Sequence, residues 1–189
     1  MESNKINLRV SVLTSLIFLA AFSRIIPHMP NFSPLGAIGL FGAAYFSEKW
    51  QAFLIPIAAT WLSDLFINNV IYAQYYPTFT WFENGFYWMY GSYLLITIAA
   101  IFIFRKVTLR RVIAGALSST TIFFLITNLT CFPGNPTYPQ NFNGLLTCYA
   151  AGIQYMNGTL LGDLFYSGVL FGSFALLQKR FPVLRMQQN

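Results

Sequence analysis

Six apolar runs divide this chain, at about 9–27, 33–48, 51–68, 86–104, 112–130 and 159–177, and they leave few ways for it to fold. A helix crossing a bilayer needs roughly 17–25 residues. Five of the runs have them; the second, with 16 residues from Ser33 to Glu48, is marginal. Only 8% of the 189 residues are charged, against roughly 25% in soluble domains. So few charges cannot cover a globule in water, whereas lipid asks only that each segment satisfy its own backbone, as a helix does. The expectation is an all-α, polytopic integral membrane protein, one domain over residues 1–189.

The basic residues orient it. With six transmembrane helices and the N-terminus inside, the inner segments hold Lys5, Arg9, Lys49, Arg105, Lys106, Arg110, Arg111, Lys179, Arg180 and Arg185, ten of the eleven Lys and Arg residues. A second run that dipped without crossing would put the RKVTLRR loop outside, against the positive-inside bias. Both termini are therefore expected in the cytoplasm, and the chain in the inner membrane. The first run follows Lys5 and Arg9 as a signal peptide would, but no small-residue cleavage site is suitably placed and Arg24 follows directly, so it reads as an uncleaved helix. The net charge of +6 sits in short clusters between apolar runs, which argues against a nucleic-acid partner and for the lipid bilayer.

On this topology the intramembrane polar residues gather at the outer end. Arg24 and His28 close the first helix, Asn31 opens the second, Asp64 and Asn128 end the third and fifth, and Asn157 and Asp163 start the sixth. A carboxylate inside a span costs roughly 2.5–3.5 kcal/mol on insertion scales and is usually paired or lines a wet cavity. Arg24 is the only Lys or Arg at that end, so it is expected to pair with Asp64, Asp163 or both. The residue types suit a polar ligand pocket of Arg24, His28, Asn31, Asp64, Asn128 and Asp163; an ion pair that merely ties the helices together is the alternative.

Ten aromatic residues lie between Tyr72 and Tyr90, with Glu83 the one charge. They form either an interfacial belt or a cover over the pocket, to which Tyr76 and Trp81 would contribute. The uncharged link of about 131–158 holds Cys131 and Cys148; a disulfide, two free thiols or one thiol ligand all remain open. Within it, residues 143–156 have helical character and are expected either to lie in the interface or to dip inward. Gly158 with Gly162 and Gly168 with Gly172 form two G-x-x-x-G pairs that let helices approach closely. One His and two separated Cys make a zinc site improbable, and no hydrolase, redox or phosphate-binding motif occurs, so neither a cofactor nor an enzyme activity is expected. A membrane enzyme using His28 with an Asp is a minor alternative.

The run RIIPHMPNFSP at 24–34, followed by GAIGLFGAAYF, resembles a family of uncharacterised bacterial multi-pass membrane proteins. So do WLSDLF around Asp64, FFLITN ending at Asn128, GLLTCY around Cys148 and GTLLGDLFY around Asp163. More distantly, the layout is similar to the substrate-binding S components of energy-coupling-factor vitamin transporters. That resemblance implies six helices with cytoplasmic termini, a vitamin or metal held near the outer face, and a transmembrane coupling partner with ATPases; Ser11 and Ser15 stand where those proteins carry an Ala-x-x-x-Ala face. The expected function is uptake of a small molecule of unknown identity; a structural or assembly subunit of a membrane complex is the alternative.

Overall fold

The computed structural model describes residues 2–185, with side chains from Asn7 onward; residues 186–189 and the Lys5 side chain, one of the topology charges, lie outside the described residues. All the regular structure among them is helical: α1 Glu2–Phe22, α2 Leu35–Tyr45, α3 Lys49–Phe66, α4 Phe86–Ile103, α5 Leu109–Thr130 and α6 Phe142–Arg180. Five of these, α2 excepted, are long and apolar enough to cross a membrane.

The short one is the centre of the molecule. α2 has eleven residues, not the sixteen expected, and every residue from Leu35 to Ala43 is buried. At 1.5 Å per residue it rises about 16 Å, roughly half a bilayer's hydrocarbon core. It packs against all five other helices, and its sequence LGAIGLFGAAY explains how. A helix apolar on every side belongs in an interior, and glycine and alanine let neighbouring backbones close in. Phe41 meets Phe171 and Phe174 edge-on, at 5.5 and 5.8 Å between centroids, a favoured geometry for aromatic pairs.

One end of the bundle is closed by Arg9. It is 8% exposed, donates to Leu184 O and Tyr45 O, both at 2.7 Å, and lies 5.5 Å from the centre of the Phe174 ring. The sequence marked Arg9 only as a flanking charge. It instead joins the start of α1, the end of α2 and the short turn Pro182–Leu184.

α6 is the second departure. It is one helix of 39 residues, roughly 58 Å long, so the segment at 143–156, expected to be separate, is its opening part. No proline or charge interrupts Phe142–Gly162, and Asn141 caps the start by accepting from the Gly144 amide at 3.0 Å. Its first glycine pair receives the link before α2 rather than another helix. A Cβ on Gly162 would stand 2.6 Å from Ser33 N and 2.8 Å from Ser33 O, whereas one on Gly168 or Gly172 would meet nothing within 4 Å. Gly162→Ala is therefore expected to cost about 1–3 kcal/mol and lower the melting temperature in detergent, while Gly168→Ala leaves it unchanged. Equal melting temperatures for the two variants would remove the 30–33 link from this packing.

Candidate functional site

At the end opposite Arg9, three elements meet on one ion pair. The helical turn Ser23–Ile25 presents Arg24, whose Nη1 donates to Asp64 Oδ1 at 2.5 Å and to Ser63 Oγ at 3.0 Å. Tyr90, in the first turn and a half of α4, donates its hydroxyl to Asp64 Oδ2 at 2.7 Å. Both charged side chains are largely buried, 17% and 14% exposed, so each needs the other. The expected pairing of Arg24 thus falls on Asp64, tying α1, α3 and α4; Asp163 is held differently.

Asp163 belongs to the start of α2. It is 1% exposed, accepts from Thr120 Oγ1 at 2.9 Å and lies against the first turn of α2, over the Gly36 backbone and beside the Ala37 amide. The α2 cap residue, Pro34, supplies no side-chain cap. The carboxylate of α6 takes that role from across the bundle, where the partial positive charge of a helix N-terminus favours an anion. Its Oδ1 lies so close over the Gly36 backbone that any Cβ there would overlap it. Ser119 Oγ is near the same carboxylate without meeting the geometry of a hydrogen bond, and it is a buried hydroxyl left without a partner.

Beside this carboxylate lies a cavity of about 270 Å³, at the lower end of ligand-pocket sizes. Arg24, His28, Asn31, Ser33, Ser119, Thr159 and Asp163 give it polar walls; Ile67, Met89, Tyr93, Ile96 and Phe123 give it apolar ones. Tyr93 and Phe123 stack, 5.9 Å between centroids and 9° apart in plane. His28 is exposed at the mouth, with Nδ1 3.0 Å from Met29 O. Asn31 takes a left-handed φ of 61°, which asparagine tolerates better than most residues. The link PHMPNFSP therefore forms a rim. α3 supplies Ile67 by running on as a single wide turn, Ile67–Ile71.

The other residues expected at the pocket lie elsewhere. Asp64 stands behind Arg24 and does not reach the cavity wall. Asn128 donates to Phe124 O at 2.9 Å and packs on Gly152, joining α5 to α6 farther out. Asn157 is exposed on α6. Tyr76 and Trp81 do not cover the cavity. Tyr76 donates to Glu83 at 3.4 Å, and burial together with that carboxylate pushes its hydroxyl up from the ordinary tyrosine range. Trp81 is exposed, and its carbonyl accepts from Trp61 Nε1 at 3.2 Å. The aromatic loop instead folds on itself, pinned where Thr80 N donates to Asn69 Oδ1 at 2.6 Å, and of its rings Tyr72 reaches the cavity. Cys131 is exposed and Cys148 buried, both as free thiols, directed at the carbonyls of Thr127 and Asn128. Among the described residues no three His, Cys, Asp or Glu side chains gather as a metal site.

Tyr90, Ser119 and Thr120 escaped the sequence reading, which reads Gly36 as a packing glycine of the second helix. Hydroxyl residues are common in such helices; only the register of α5 against α2 and α6 singles out Ser119 and Thr120, and that of α4 against α3 singles out Tyr90.

Fold and site together define an all-helical, membrane-type protein with a polar cavity set into one end of its bundle. The chain belongs to DUF6580, a family of unknown function whose match covers residues 4–184. No curated protein and no solved structure matches it.

Removing Arg24 strands a buried carboxylate. Arg24→Ala is expected to destabilise the protein by about 3 kcal/mol, and Arg24→Met combined with Asp64→Leu to recover most of that loss. Melting of the purified protein in detergent reads both; a double variant no better than the single one would show that the pair contributes nothing as a pair.

Proposed function

We propose that this DUF6580 protein is a six-span inner-membrane protein, with both termini cytoplasmic, that binds a small organic molecule in the cavity beside Asp163 during uptake. One observation carries the reading: about 270 Å³ of space flanked by a buried carboxylate and an unsatisfied buried hydroxyl. A bundle needing only mechanical strength would fill that space with side chains, since interiors pack densely. The spread of basic residues supports the orientation, with the cavity facing outward. α2 makes the second span, too short for lipid but shielded by its neighbours, as short or broken segments are in membrane proteins. Energy for uptake would come from a transmembrane coupling subunit with ATPases, in the manner of the S components that the layout resembles.

The assembly-subunit reading keeps one supporting feature, the open Gly168 and Gly172 on the outer face of α6, where another membrane protein's helix would fit.

Native mass spectrometry of the protein taken gently from host membranes separates the two readings. The expected result is a bound small molecule that disappears in Thr159→Trp, which fills the cavity. An empty protein carrying other membrane subunits would overturn the binding reading in favour of assembly.

A further inference from the structure

The ligand's charge class follows from which groups in the cavity are already satisfied. This step rests on the binding reading above. Arg24, His28, Asp163, Tyr72 and Tyr93 are the titratable residues of the wall. The charge of Arg24 is spent on Asp64, which Tyr90 also engages, so that end of the cavity is balanced. His28 lies exposed at the mouth, where water screens it. Asp163 is enclosed and has no basic side chain in contact with it among the described residues. The start of α2 supplies a partial charge of roughly +0.5, which offsets only half of a carboxylate. An ionised carboxylate offers about four acceptor sites; Thr120 uses one of them, and the Ala37 amide lies beside another. Beside it Ser119 Oγ, 1% exposed, lines the cavity without a partner.

We infer that the cavity selects a ligand carrying a protonated nitrogen on a small, flat apolar body, the nitrogen donating to Asp163 and Ser119 and the body lying along Tyr93 and Phe123. A cationic N–H satisfies both oxygen acceptors at once through charge-assisted bonds. An anion would face the carboxylate, and a neutral hydroxyl compound would give an enclosed acid nothing that favours its ionised form. Aromatic walls favour such a cation further, and the volume limits the body to about one ring. A divalent metal ion is a poor fit, because a single carboxylate with hydroxyls falls short of the six or more oxygen ligands of hard cations.

Three probes of one shape and different charge test this on the full chain in detergent: benzylamine, benzyl alcohol and benzoate, with binding followed by calorimetry and thermal shift. Benzylamine is expected to bind at least tenfold more tightly than the other two. Asp163→Asn should abolish that preference, and Ser119→Ala should weaken benzylamine about threefold while keeping it. If Asp163→Asn does not fold, the comparison of probes on the unaltered protein decides alone. Equal binding of all three, each excluded by Thr159→Trp, would overturn the charge selection and leave the binding reading standing. So would failure of all three to bind to a protein that leaves its host membrane carrying a neutral or anionic molecule. Failure of all three with an empty host-derived protein would sink both.

Discussion

The contact on which the rest of the molecule depends is the Asp163 carboxylate lying over the first turn of α2. The first amides of a helix have no partner within it; at the start of α2, Ser33 Oγ takes the Leu35 amide at 3.3 Å, while the cap residue Pro34 has no side chain to offer. α6 brings a further acceptor, Asp163, against the same turn, and Gly36 supplies the clearance. Because α2 touches every other helix, fixing its start fixes the depth at which the bundle closes around it. The cavity is the space left beside that joint.

The two ends of the molecule use charge in contrasting ways. At the Arg9 end a guanidinium is held by main-chain carbonyls and an aromatic face, with no acid involved among the described residues. At the cavity end Arg24 and Asp64 neutralise one another, and the second acid stays apart from them. Separating the two carboxylates, one paired and one capping, is what makes the cavity wall chemically uneven.

Much of this was legible in the sequence, for identifiable reasons. Three of the six helices, α3, α4 and α5, begin and end within three residues of the apolar runs that mark them, and α1 overlaps its run as far as Phe22 before its closing turn; hydropathy reports burial in lipid or core alike. The Arg24–Asp64 pair could be expected because few partners exist at that end. The same patterning misjudged α2, since a helix shielded by neighbours needs no membrane-spanning length, and α6, since polar residues such as Gln154 and Asn157 can ride on an exposed helical face without breaking it. The setting of Asp163 was hidden because neither one threonine among many nor the start of a helix on another segment marks itself as its partner in a sequence. The composition of the aromatic loop fits a belt and a cover alike, and its course is set by Asn69 and Thr80, which fold it back toward α3.

Arg9 sets an order of events. Its two acceptors lie 36 and 175 residues further along the chain. α1 therefore carries a buried cation whose second acceptor is synthesised 175 residues after it. The α2 contact alone leaves one arm of the guanidinium without its partner, so that end of the bundle is complete only when the turn after α6 has docked. The Arg9 to Leu184 contact is in this sense the clasp of the fold.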